Sequence, residues 1–351
     1  MAYTTINKPT EHFNTKLYTG DGTSNRSITG VGFQPDLLWV KSRNAIYYHG
    51  LWDAVRTNKA AIYSNATVAE DTTTGGTLGS FDSDGFTTQN VSGGFVNNSG
   101  TTYASWSWKA NGAGSANTDG SINSTVSVNT TSSFSIVSYT GTGANGTIGH
   151  GLGQAPDMII VKRRDSTDGW KVYHSSRGAT KYLQLNTTAA EGTLSSQWND
   201  TEPTSSVFSV GTAGDINGSG GRTYIAYCFA EKQGYSKFSS FVGNGSNDGS
   251  FCFTGMKPSF VMIKRTDSTA SWLMFDNKRA NPFNEITADL RADLSNAEDA
   301  STSYNNIDFL SNGFKIRKSN ADINASGGNY IYMAFAEAPL VGSNNVPCTA
   351  R

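Results

Sequence analysis

The sequence predicts an all-β protein made of three tandem β-sandwich (jelly-roll-like) repeats of about a hundred residues each. Three observations carry that expectation: a turn-rich composition, a triplicated motif with constant spacing, and three alike closing strands. Of the 351 residues, 36% are hydrophobic and 11% aromatic, which is enough for packed cores, while 38 glycines with abundant Ser, Thr and Asn fill the stretches between apolar runs. Many short strands joined by tight turns produce that pattern.

Each copy opens on an aromatic residue, one intervening residue and a Gly-x-Gly turn: Tyr18 with Gly20 and Gly22, Tyr139 with Gly141 and Gly143, Phe241 with Gly243 and Gly245. A proline stands fifteen residues after the first glycine in all three, at Pro35, Pro156 and Pro258. Four apolar residues and a lysine follow, as Leu37-Leu38-Trp39-Val40-Lys41, Met158-Ile159-Ile160-Val161-Lys162 and Phe260-Val261-Met262-Ile263-Lys264. An unbroken apolar run after a turn reads as a strand covered on both faces, because a strand with one wet face alternates. Twenty-one residues after each proline stands an arginine, Arg56, Arg177 or Arg279, closing an aromatic-Asp/His-x-x-Arg element. The copies end alike: Asn97, Asn217 and Asn324 each precede a Ser-Gly and a tyrosine (Tyr103, Tyr224 or Tyr330) that opens a strand rich in aromatic and small residues. The first and last strands of a copy are expected as neighbours in one sheet.

These marks divide the chain into repeat 1 (1–110), a Gly/Ser/Asn/Thr-rich linker (111–132) with one candidate strand at Thr125-Val126-Ser127-Val128, repeat 2 (133–232), repeat 3 (233–339) and a polar tail (340–351). Only Lys232-Gln233-Gly234 separate the last two copies, so those two are expected to pack rigidly while the first pivots on its linker. Ile286, Leu290 and Leu294 have helical spacing, but their counterparts in the other copies do not, and the repeat argues against a helix over 284–298.

A formal charge of −1 and a pI near 6.4 provide no excess of cations to attract phosphate backbones or anionic lipid, so neither nucleic acid nor membrane insertion is expected. The N-terminus lacks signal-peptide character, and no apolar run reaches bilayer length. Cys228, Cys252 and Cys348 show no metal or redox spacing and read as inert thiols, with a Cys228–Cys252 disulfide as the alternative.

The Gly-x-Gly pairs read as turns, because a phosphate cradle needs a helix directly after the loop. Asp82-Ser83-Asp84-Gly85 resembles the start of a calcium loop, but the third copy has Leu310-Ser311-Asn312-Gly313 there, which favours a turn. His12, His49, His150 and His174 have no metal-ligand spacing. No cofactor, metal or catalytic set is expected, and the chain reads as a non-enzyme. Glu70, Glu191 and Glu298 recur once per copy like the arginines and are candidate structural ion pairs. Asp200 and Glu202 form an isolated acidic pair without a visible partner set for glycoside hydrolysis. Tyr47, Tyr48, Trp170 and Trp272, with His49 at the matching place in the first copy, are the candidate contacts for a sugar or protein receptor; packing in a core or interface is the competing reading.

The strings Tyr18 to Arg56, Tyr139 to Arg177 and Ser99-Gly100-Thr101-Thr102-Tyr103 to Trp108, with Asn117-Thr118-Asp119-Gly120-Ser121-Ile122, resemble a repeat family in virion and tail-fibre proteins of tailed bacteriophages, marine ones especially. The resemblance covers nearly the whole chain. It implies a tail fibre or tail-associated adhesin that is made in the host cytoplasm, resides in the virion, and contacts other virion proteins and a host-surface glycan or protein. It further implies a homo-oligomer, as a trimer. A capsid decoration or head-fibre protein and a fibre-borne polysaccharide depolymerase are the alternatives. Coiled-coil heptads and collagen-like runs, common in long fibres, are absent from the sequence.

Overall fold

Alternation along the apolar runs decides the layering. In a strand, successive side chains point to opposite faces, so Leu37 and Trp39 turn one way and Leu38 and Val40 the other. The same split recurs at Met158/Ile160 against Ile159/Val161, and at Phe260/Met262 against Val261/Ile263. The computed structural model describes residues 3–73, 78–89, 95–279, 284–301 and 304–341, and these form an all-β protein of several antiparallel sheets.

The first copy contains β1 (Phe13–Thr19), β2 (Arg26–Thr29), β3 (Leu37–Ser42), β4 (Gly50–Asp53), β5 (Thr57–Tyr63), β6 (Ser80–Asp82), β7 (Gly85–Thr88) and β8 (Thr102–Trp108). An arm follows with β9 (Ser115–Asn117) and β10 (Ser124–Asn129). The second copy has β11 (Phe134–Thr140), β12 (Gly146–Gly149), β13 (Met158–Arg163), β14 (Trp170–His174), β15 (Lys181–Tyr182), β16 (Gly192–Thr193), β17 (Val207–Val210) and β18 (Thr223–Phe229). The third has β19 (Ser236–Val242), β20 (Phe251–Phe253), β21 (Met256–Arg265), β22 (Leu273–Asp276), β23 (Leu290–Arg291), β24 (Ile307–Leu310), β25 (Gly313–Ile316) and β26 (Asn329–Pro339).

Each copy builds its main sheet in the same order: β1-β8-β3-β4-β5, then β11-β18-β13-β14, then β19-β26-β21-β22-β23. First and last strands pair antiparallel in all three, as the repeat pattern implied. A smaller sheet lies outside each main sheet: β2-β7-β6, β12-β17 and β20-β25-β24. Its apolar residues, such as Ile28 and Phe86, Ile148 and Phe208, or Cys252 and Phe314, complete an outer core private to that copy. Residues 284–298 contain β23 and no helix.

The inner faces of the main sheets share a single core. Trp39, Trp106 and Trp108 from the first copy, Ile160, Tyr227 and Phe229 from the second, and Phe260, Met333 and Phe335 from the third belong to one buried cluster. Phe335 shows the mixing: its ring stacks on Phe13 at 4.9 Å and meets Trp108 at 5.6 Å and Phe229 at 6.0 Å. An apolar void of about 10 Å³ remains among Leu37, Trp39, Ile160, Phe229, Phe260 and Met333.

Two expectations are corrected here. The first copy does not pivot, because its inner face is part of the shared core. The stretch 111–132 is no free linker: β10 pairs with β11 along Ser124–Asn129, and β9 pairs with β10, so the arm widens the second main sheet to β14-β13-β18-β11-β10-β9. Its Ile122 bridges Ile148 on the outer sheet. A two-sided strand signal reads the same whether the second face meets its own outer sheet or a neighbouring copy, so spacing alone could not reveal the common centre. The tail beyond 341, with Cys348, lies outside the described residues.

Backbone hydrogen bonds close the copies into a ring. The Glu70 N–H donates to the Arg164 carbonyl at 2.7 Å, Glu191 to Thr266 at 2.9 Å, and Glu298 to Arg43 at 2.7 Å. The contact runs from first to second, second to third and third back to first, which is the cyclic pattern of quasi-threefold symmetry. Phe335→Ala is expected to cost about 3–5 kcal/mol, and to do so in one transition for the whole chain. Urea unfolding followed in parallel by circular dichroism and tryptophan fluorescence checks this; two separated transitions would show that the copies unfold independently.

Candidate functional site

Each repeat motif marks a candidate site. Gly20, Gly141 and Gly243 leave no room for a Cβ, which would lie 2.2–2.6 Å from the carbonyl oxygens of Asn98, Gly218 and Ala325. Gly22, Gly143 and Gly245 take φ of +74°, +77° and +67°, a conformation open to glycine at little cost. The buried Asn97, Asn217 and Asn324 hold these loops. Each carbonyl accepts the N–H of the second glycine at 3.0 Å, and each carboxamide donates to a loop carbonyl (Thr23, Ala144 or Ser246) at 2.6–2.7 Å. The aromatic before each loop stacks on the closing tyrosine: Tyr18 on Tyr103, Tyr139 on Tyr224, Phe241 on Tyr330, at 4.9–5.1 Å. The glycine motif is therefore a loop clamp.

The prolines mark the entry to the central strands. Pro35 and Pro156 precede β3 and β13, while Pro258 lies within β21 at a break in its register with β26, a place where a strand tolerates the missing N–H.

The arginines do the work expected of them, at the seams. Arg56 is fully buried, with Asp53 at 2.6 Å and Glu70 at 3.0 Å. The Tyr227 hydroxyl of the second copy donates to the same Asp53 at 2.8 Å. Burial opposes the Arg56 charge, but Asp53, Tyr227 and Glu70 overcome it and hold the pKa above its ordinary value. Arg279 repeats the arrangement with Asp276 at 2.6 Å and Glu298 at 3.1 Å, and Trp106 Nε1 of the first copy donates to Asp276 at 3.0 Å. In the second copy His174 replaces the aspartate, its Nε2 facing the Tyr332 carbonyl of the third at 3.3 Å, and Arg177 keeps only Glu191 at 2.6 Å. Sequence reasoning missed Tyr227 and Trp106, whose partners are contributed by a different copy.

The candidate receptor aromatics divide. Trp170 and Trp272 are 0% and 1% exposed, which overturns the receptor reading for both. Trp170 Nε1 donates to the Tyr63 carbonyl at 2.9 Å and Trp272 Nε1 to the Gln184 carbonyl at 2.8 Å, each reaching into the preceding copy. His49 occupies the matching place in the first copy and is buried, accepting from Trp39 Nε1 at 2.9 Å. Trp39 stands where the other copies have Ile160 and Met262, so a large strand residue and a small loop residue exchange volumes. Tyr47 is partly buried against the outer core of the first copy, and its hydroxyl accepts from Asn98 Nδ2 at 2.9 Å. Tyr48 is 47% exposed and stacks on Tyr63 at 4.9 Å, beside the more exposed Ile46.

Other candidates are occupied by structural contacts. Asp84 accepts from the backbone of Gly30 and Gly32, and Asp82 from Ser80 and Thr87, as turn-holding carboxylates do. Among the described residues no group of three or more His, Cys, Asp or Glu could hold a metal ion. Glu202 caps Ala179 and accepts from Tyr173. Cys228 and Cys252 are free, buried in different outer cores, so they form no disulfide with each other. Lys41, Lys162 and Lys264 are buried, each with its pKa lowered to about 8 chiefly by burial. Lys162 and Lys264 donate to Thr67 and Thr188 carbonyls of the preceding copy, at 3.1 and 2.9 Å. No described helix is long and apolar enough to cross a membrane, which says nothing of β-barrels.

A family model described as a domain of unknown function, DUF7483, matches residues 8–339. One model thus spans all three copies. No curated protein matches the chain, and no solved structure does.

Removing Arg56 or Arg279 strands a buried carboxylate. Arg56→Ala and Arg279→Ala are each expected to cost about 3–5 kcal/mol, whereas Arg177→Ala, at a side chain 29% exposed with one partner, should cost about 1 kcal/mol; urea midpoints decide the ranking. Burial also lowers the pKa of His174 to about 4 and that of His49 well below its ordinary value, Lys41 adding to the latter. Both rings stay neutral in the fold, so their stabilisation is complete above the unfolded pKa near 6.5 and is lost as pH falls towards 4. The raised pKa of Asp289, about 6 through burial, acts in the opposite direction and is common to wild type and variant. A His49→Gln, His174→Gln double variant should therefore gain on wild type by a few kcal/mol between pH 7 and 4. Parallel pH profiles in urea unfolding would contradict this.

Proposed function

Because this chain belongs to the DUF7483 family over nearly its whole length, a family of unknown function, we propose its role from its own geometry and repeat: a non-enzymatic bacteriophage virion protein, a tail fibre or tail-associated adhesin. One observation carries the reading most: the recurring groups are spent on structure, the arginines and tryptophans at the seams between copies and the asparagines in the loops within each. Arg56, Arg279, Trp170, Trp272 and the loop-clamping asparagines are all buried in structural contacts, which suits a rigid building block. The likeness of the repeat strings to phage virion proteins supports the location.

Each copy is read as a β-sandwich, its main sheet facing its smaller outer sheet across a private core; the two-layer clusters support this. The reading includes a homo-oligomer, and the quasi-threefold body within one chain fits a partner or assembly with a threefold axis. Receptor contact is assigned to the exposed Tyr48 with Ile46, since aromatic faces at loop edges stack on sugars and anchor interfaces. Synthesis in the host cytoplasm agrees with two unpaired, buried thiols, since disulfides are rare in reducing compartments.

Immunogold electron microscopy of purified particles, with peptide mass spectrometry of the same preparation, tests the role. Label on the tail is the expected result; label on the head would establish the capsid-decoration alternative instead. Absence of the protein from particles would overturn the proposal, and release of reducing ends from host polysaccharide by the purified chain would show an enzyme.

A further inference from the structure

The same strand edge is treated differently in the first and second copies. In the second, the outer edge of β11 is covered by β10, with Val126 opposite Val137 and Val128 opposite Ser135. In the first, β1 is the end strand of its sheet, and its edge forms one wall of an open groove of about 370 Å³ lined by Asn14, Thr15, Lys16, Leu17, Gly30 and Lys278. Four consecutive residues of one edge strand line this groove, which occupies the place that β10 fills on the second copy.

The backbone is set up for pairing. The inner edge of β1 is anchored where Gly20 donates to Thr101 and Lys109 donates to His12. Antiparallel alternation then turns the N–H and C=O of Thr15 and Leu17 outward. Asn14 folds back to accept the Thr15 N–H at 2.9 Å, a local cap on an edge that would otherwise be bare. Thr15 Oγ1, on a side chain only 6% exposed, has no hydrogen-bond partner, a group that ordinarily finds one.

The charges indicate what kind of strand would fit. Lys16 stands at the β1 position matching Val137, and Lys278 of the third copy lines the same groove. Neither forms an ion pair with a described residue, and Asp84 acts on Lys16 only at longer range. Where the second copy presents valine to a valine of its own arm, the first presents cations.

From this we infer that the β1 edge is a strand-addition site for an extended, acidic segment of a partner protein, which lies along β1 in the register of β10 and sets a carboxylate opposite Lys16. Main-chain hydrogen bonds would provide affinity and the lysines specificity, the usual division in strand addition. The site does not depend on the chain being part of a particle.

Fluorescence anisotropy on the purified full chain tests it with two labelled synthetic peptides, residues 121–131 carrying Val126→Glu or Val126→Lys. The glutamate peptide should bind saturably and protect the Thr15 and Leu17 amides from hydrogen exchange. Lys16→Glu should weaken it about fivefold and favour the lysine peptide instead, since opposite charges across a strand pair attract and like charges repel. Lys278→Glu makes the same test if Lys16→Glu fails to fold by circular dichroism. No saturable binding at millimolar peptide, equal binding of both peptides, or protection confined to other strands would overturn the inference.

Discussion

The apolar face that each main sheet turns toward its neighbours is the constraint from which the rest follows. A sheet with two apolar faces needs two covers. The outer sheets provide one each, and for the other the copies have only each other. Trp39, Phe229 and Phe335 belong to three copies but to one cluster, so a copy without its neighbours would expose a large hydrophobic surface to water.

Polar groups then specify how the copies meet. The Glu70, Glu191 and Glu298 backbone contacts repeat in one cyclic sense, and the buried Arg56 and Arg279 networks lie on the seams they help align. Buried ion pairs contribute little net stability compared with apolar packing, yet a mismatched one is costly. That asymmetry gives the arrangement its selectivity: a slipped copy would leave Asp53 without the Tyr227 hydroxyl and Asp276 without Trp106. The second copy departs from the pattern at His174, where an uncharged ring facing a carbonyl replaces the carboxylate.

Much of each copy was legible in the residues. Constant spacing from Gly20 to Pro35 to Arg56, repeated twice, identified equivalent strands, and the four-residue apolar runs correctly announced strands buried on both faces. Glycine turns and arginine ion pairs followed from residue type and recurrence. The mutual arrangement was not legible, because nothing in Leu37-Leu38-Trp39-Val40 tells whether a neighbour or an outer sheet covers a face. For Trp170 and Trp272 the residues left receptor contact and packing both open for the same reason: they lead into a strand from a loop-like context, and the adjoining copy is what buries them. The 111–132 arm reads as a linker because Gly, Ser, Asn and Thr dominate it; the short alternation at Val126 and Val128 is the signal of β10.

Small-angle X-ray scattering, at a dilution where the forward scattering gives the mass of one chain, tests the central claim most directly, that three copies close around a common core. A compact body of this length should have a radius of gyration of about 20 Å. Three separately folded copies strung along the chain would give about 25 Å or more, and that value would contradict the closed ring.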